Sequence, residues 1–94
     1  MIKTYVPIVK PFHAVQFTRD NWDEVLQFTE NRAKDLTIPR SPSGIASCGI
    51  PSLFGFITVR EGDFIIKVTG GWYDRIEEKT FLSSYDEVVE TTDG

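Results

Sequence analysis

Few residues in this chain have the types and spacing that catalysis needs. His13 is the single histidine and Cys48 the single cysteine among 94 residues. A general base needs an orienting partner and a substrate proton within reach, and no motif around His13 supplies either. Lying in an apolar-alternating stretch, it reads as a packed or edge histidine. Cys48, in Ala-Ser-Cys-Gly-Ile, lacks the neighbouring base or helix N-terminus that lowers a thiol pKa, and reads as a small, partly buried apolar residue. One His and one Cys make a structural zinc site only if carboxylates of unspecified position join them. The glycines match neither G-x-G-x-x-G nor the P-loop pattern. Glu77 and Glu78 are adjacent, so on a strand they face opposite ways and cannot share a substrate. These residues point away from an enzyme, a metal site or a bound cofactor.

A group suited to recognition stands out instead. Trp72, Tyr73, Arg75 and Lys67 combine the side chains that dominate interface hot spots. An aromatic face beside an arginine also stacks a base or nucleotide. On a strand, alternation sends one of Trp72 and Tyr73 inward and leaves the other near the surface. Phe54 and Phe56 extend the candidate binding surface, because they share the mixed face of their strand.

The elements that must position these groups centre on residues 59–73. A charged turn, Arg60-Glu61-Gly62-Asp63, separates two strand-like runs, and Gly70-Gly71 leads into a third over 72–78. Three consecutive antiparallel strands, a meander, are expected. In the first, Leu53, Ile57 and Val59 share the apolar face and Phe54, Phe56 and Thr58 the other. In the second, Phe64, Ile66 and Val68 oppose Ile65, Lys67 and Thr69. The face with Phe54, Phe56 and Ile65 is either covered by a helix or a contact surface.

Upstream, prolines 7 and 11 make residues 1–10 an extended arm or edge strand, and residues 12–18 read as a strand. Asp20 caps a helix over 20–31 whose apolar stripe is Trp22, Val25, Leu26 and Thr29, with Asp23 and Glu24 at its dipole-favoured start. A short strand over 34–38 precedes a Pro- and Ser-rich loop at 39–44. Residues 45–51 fit no single element. A helical turn is expected over 79–85, a return to the sheet edge over 85–89, and a frayed tail at 91–94.

Composition narrows the partners. With 40% apolar, 26% charged and 13% aromatic residues, the chain is an ordinary globular sequence rich in aromatics. A formal charge of −4, with ten basic residues spread out, argues against nucleic-acid backbone binding. No apolar run reaches the roughly 20 residues needed to span a bilayer, the N-terminus lacks a secretory pattern, and a lone cysteine suits a reducing cytoplasm.

Two stretches carry a resemblance. Ala14-Val15-Gln16-Phe17-Thr18-Arg19-Asp20-Asn21 before a helix resembles the Ala-Phe-Gln-Trp-Thr-Gly-Asp-Asn-like opening of a group of small, uncharacterised phage and prophage proteins. Ile50-Pro51-Ser52-Leu53-Phe54-Gly55, then Val59 and Gly62-Asp63-Phe64-Ile65-Ile66-Lys67, is similar to their Thr-Leu-Glu-Gly and Gly-Asp-Tyr-Ile-Ile core. Gly71, Phe81 and Tyr85 fall where that pattern has Gly, Phe and Tyr. The matching stretches cover about two thirds of the chain. Glu61 stands in place of their Pro, and Asp74-Arg75-Ile76-Glu77 in place of a Tyr-Pro-Cys-Lys-like run, so partner preference at the aromatic–basic group is this chain's own. The resemblance implies a phage-encoded accessory protein acting inside a bacterium.

These readings converge on one α+β domain over residues 1–90 with a flexible tail. Its small antiparallel, meander-rich sheet has about four to six strands, with one main helix packed on a face. The expected function is a non-catalytic binding protein that inhibits or redirects a host or anti-phage defence protein in the host bacterial cytoplasm. The alternatives are a protein that sequesters a nucleotide signal at a subunit interface of a homo-oligomer, and a minor structural virion component. The expected binding residues are Trp72, Tyr73, Arg75, Lys67, Phe54 and Phe56, with no cofactor and no membrane partner.

Overall fold

A computed structural model describes residues 2–3, 12–68 and 70–85. The element order is β1 (Ala14–Gln16), α1 (Trp22–Phe28), β2 (Lys34–Thr37), β3 (Ser47–Ser52), β4 (Gly55–Arg60), β5 (Phe64–Val68), β6 (Trp72–Ile76) and α2 (Glu78–Ser84). The strands form two three-stranded antiparallel sheets, β1-β5-β6 and β2-β3-β4. The expected N-terminal arm, the strand over 85–89 and the tail at 91–94 fall outside the described residues, apart from residues 2, 3 and 85.

The three-strand meander is the main correction. β4 pairs with β3, not with β5, and β5 pairs with β1 and β6. The charged turn is therefore a bridge between sheets. Its backbone groups serve other partners: Glu61 N–H donates to Ala46 O at 2.8 Å, Gly62 N–H to Phe17 O at 2.7 Å, and Phe17 N–H to Asp63 O at 2.8 Å. Asp63, 8% exposed, closes the turn by accepting from Arg60 N–H at 3.0 Å. Gly62 has φ 99°, a conformation that an L side chain adopts only under strain.

The helix is shorter than 20–31, and Asn21 rather than Asp20 stands at its N-cap position. Asn21 staples the approach to the helix instead of capping it. Its Oδ1 accepts from Thr18 N–H at 2.8 Å and its Nδ2 donates to Gln16 O at 2.6 Å. The apolar stripe holds, with Val25 and Thr29 buried and Trp22 and Leu26 packed against the core. Glu30 and Asn31 end the helix in the left-handed region, at φ 55° and 63°.

One core joins α1 to both sheets. It contains Val15, Phe17, Val25, Ala33, Ala46, Cys48, Ile50, Val59, Ile65 and Tyr73. Ile65 belongs to this core, not to a mixed outer face. It lies in register with Val15 and Arg75 in the central strand of its sheet. Lys67, two residues on, stays at the surface with its ammonium 5.2 Å from the centre of the Phe28 ring. The opposite face of the same sheet is covered too. There Phe64 stacks on Phe81 of α2 at 3.9 Å between centroids, and Phe12 meets Tyr85 edge-on at 4.9 Å. Two helices thus flank this sheet where one was expected. Residues 45–51, which fitted no element, supply most of the central strand β3, and its small side chains let it pack directly against β6.

Candidate functional site

Ser52-Leu53-Phe54-Gly55 forms the tip of the β3–β4 hairpin. Leu53 and Phe54 were expected inside a strand, but Gly55 takes φ 101° and turns the chain there. The buried Ser52 hydroxyl fixes the turn, donating to Gly55 O at 2.6 Å and accepting from Phe54 N–H at 3.2 Å. The tip thereby presents two large apolar side chains on an ordered backbone, Leu53 62% exposed and Phe54 96% exposed. Phe56 follows on the outer face of β4, 52% exposed. Lys34 Nζ stands 3.9 Å from the centre of its ring, and a Cβ on Gly49 would lie 3.7 Å from its Cδ1. The aromatic ring covers the strand glycine and carries the lysine on top.

The aromatic–basic group does not converge with this hairpin or within itself. Tyr73 is 2% exposed and belongs to the core. Its hydroxyl donates to Phe28 O at 3.2 Å and accepts from Arg32 Nη2 at 3.2 Å. That removes Tyr73 from any binding surface. Lys67, Tyr73 and Arg75 share one face of β5–β6, because Lys67 pairs with Tyr73 and Ile65 with Arg75. Trp72 pairs with Val68 on the reverse face and is 39% exposed. A nucleotide sandwich using Trp72, Arg75 and Lys67 together is therefore geometrically closed.

Arg75 instead lines an open cleft of about 550 Å³ with Arg60, Lys79, Glu61, Asp63, Glu77 and Glu78, walled by Ile45 and Leu82. Two of its carboxylates are already committed. Asp63 Oδ2 takes Arg75 Nη1 at 3.0 Å, and Glu61 Oε1 takes Arg19 Nη2 at 3.0 Å. The hydrogen bond from Arg19 and that from Ala46 N–H hold the Glu61 carboxyl below its ordinary range, and the Glu61 contact raises the Arg19 guanidinium. Among the described residues, what remains for a ligand is two cations, Arg60 and Lys79, and two anions, Glu77 and Glu78.

Cys48 is buried in the core, and burial pushes its thiol up to about 11, the opposite of an activated nucleophile. His13 is exposed at the surface. Among the described residues no three His, Cys, Asp or Glu side chains cluster as a metal site, and no helix is long and apolar enough to cross a membrane. Compared with family models, curated proteins and solved structures, the chain has no significant match. Sequence reasoning passed over Leu53, Lys34, Arg60 and Lys79. The pattern Ser-x-x-Gly ahead of an alternating run was the available signal for the hairpin tip.

Proposed function

We propose that this chain is a phage-encoded, non-catalytic binding protein that engages a bacterial host or anti-phage defence protein in the host cytoplasm and inhibits or redirects it. The supporting observation is the hairpin tip, where Phe54 stands 96% exposed on a turn held by Ser52. Apolar anchors on a pre-ordered turn lose little conformational freedom on docking, so their burial is converted efficiently into affinity. The phage origin rests on the resemblance of residues 14–21 and 50–67 to the phage and prophage group.

Tagged wild-type protein and the Leu53→Ala/Phe54→Ala variant are used as baits in bacterial lysate, and the captured protein is purified for titration. The expected result is one stoichiometric host protein whose affinity falls at least about tenfold in the variant, as for loss of a hot spot. Equal affinity for both baits removes the tip from the site.

A small-ligand reading ranks second and is favoured by the cleft, where Arg60 and Lys79 line open space beside Glu77 and Glu78. A melting temperature raised by a nucleotide panel, with the rise lost in Arg60→Ala/Lys79→Ala, supports it. A melting temperature indifferent to the panel rejects it.

A further inference from the structure

The two helices have the same length and are anchored differently. α1 sends Val25 fully into the core and is followed by the buried Thr29. In α2 no residue is buried, and Phe81 alone is half-buried. Its seat is aromatic. Phe81 lies flat on Phe64, with 3.9 Å between centroids and 6° between planes, and Phe12 meets it edge-on at 6.3 Å. The helix's own bonds stay within it: Phe81 N–H donates to Glu77 O at 2.8 Å, Tyr85 N–H to Phe81 O at 3.0 Å, and the Ser83 hydroxyl to Thr80 O at 3.0 Å. A single extended residue, Glu77 at φ −60° and ψ 145°, joins α2 to β6 and supplies no side-chain cap. An isolated helix shorter than about 12–15 residues is marginal in water. α2, with seven, therefore owes its order to the ring that seats it.

The cleft has one fixed wall and one wall of this kind. On the side of the bridge and β6, the Arg75–Asp63 and Arg19–Glu61 ion pairs tie lining residues to the sheets. The facing wall is α2, which contributes Glu78, Lys79 and Leu82. Glu78 reaches over to the bridge, its Oε2 3.1 Å from where a Cβ on Gly62 would lie. We infer that α2 is a latch: under native conditions it swings away from β1-β5-β6 as a unit about Glu77, parting Phe81 from Phe64, while both sheets stay folded. Elements with few buried apolar contacts open at a lower free energy than the whole molecule. Opening carries Glu78, Lys79 and Leu82 out of the cleft together, so the cleft is complete only in the latched state. A solute that touches both walls binds that state alone and slows the opening by mass action. The latch follows from how α2 is seated and does not depend on the proposed function.

Amide hydrogen exchange of the full chain, followed residue by residue by NMR, tests the opening. The Phe81 amide should exchange at least about 100-fold faster than the Phe17 amide, which is bonded to Asp63 O at 2.8 Å in the core. Urea below the unfolding transition should speed Phe17 steeply and Phe81 hardly, because a local opening exposes little surface. Phe81→Ala removes the seat. Spin labels on Arg60→Cys and Lys79→Cys, exposed positions on facing walls, read the cleft while the buried Cys48 stays unlabelled. Their distance distribution should be narrow in the otherwise wild-type chain and broad in the Phe81→Ala background. In Phe81→Ala without labels, Phe17 protection should change less than about threefold. Exchange of Phe81 and Phe17 at one rate, with one urea dependence, overturns the latch, since α2 then opens only with the whole molecule. A distance distribution indifferent to Phe81→Ala overturns it by removing the seat. Phe17 protection that falls in step with α2 also overturns it, because α2 then belongs to the cooperative core.

Discussion

The two sheets are built from the same number of strands and finished differently. In β1-β5-β6 both faces are covered. Ile65 and Tyr73 enter the core, Phe64 stacks on Phe81, and Arg75 rests on Asp63 and Lys67 on Phe28. In β2-β3-β4, among the described residues, only one face is covered. Cys48, Ile50 and Val59 are buried, while Phe54 and Phe56 stand in solvent. A side chain spends its apolar surface either on folding or on something outside the chain. The first sheet does the former and the second leaves a remainder, so substitutions of equal size should separate into stability effects on one sheet and binding effects on the other.

The largest expected effect lies in the covered sheet. Tyr73→Ala removes a buried ring that touches Phe28 and Arg32, and should cost about 3–5 kcal/mol in urea unfolding. Tyr73→Phe removes only the hydroxyl that bridges Phe28 O and Arg32, at about 1–2 kcal/mol. A Tyr73→Ala loss below 1 kcal/mol would place the ring in solvent and erase the contrast between the sheets.

The next effect tests the buried face of the second sheet through pH. Burial raises the Cys48 thiol from 9.0 to about 11 in the folded chain. The unfolded chain then loses this proton first as pH rises, so the contribution is complete below pH 9 and declines through about 11. Between those limits wild-type protein should lose about 2 kcal/mol more stability than Cys48→Ala, as measured by urea titration at pH 8 and pH 11. Parallel losses in the two proteins would mean that the thiol is hydrated in the folded state.

The parts of this fold that were legible in sequence are those where one local signal decides. The stripe Trp22, Val25, Leu26 and Thr29 specified the helix face, alternation specified that one of Trp72 and Tyr73 turns inward, and Gly70-Gly71 marked a turn, where both glycines have positive φ. The misses arose where a distant partner decides. Arg60–Asp63 has the composition of a hairpin turn, yet Ala46 and Phe17 claim its backbone bonds, and no local pattern announces residues so far away. β3 is Ser-Cys-Gly-Ile-Pro-Ser, with poor strand formers in Gly49 and Pro51, and the small size of most of its residues is what a close approach of β6 requires. Leu53 and Phe54 were assigned to a strand because they are apolar, when Gly55 makes them a turn. The same error hid Leu53 as a partner of Phe54 in the candidate site, since a strand interior would have explained its apolarity and an exposed turn does not.

Phe54→Ala is the smallest expected effect on stability and the sharpest test of the contrast. The ring is 96% exposed, so its removal takes almost no apolar surface out of the folded core, and its turn is held by Ser52 and Gly55 rather than by the ring. The variant should unfold within about 0.5 kcal/mol of wild type, as surface substitutions do. Any larger loss would show that the ring packs somewhere in the folded chain and that the second sheet has no remainder to offer. Ser52→Ala complements it. That change removes both bonds that hold the turn while leaving Phe54 in place, so it should loosen the tip and weaken partner binding by adding ordering cost. Loss of affinity in both variants, with stability lost only in Ser52→Ala, distinguishes an anchor from the frame that presents it.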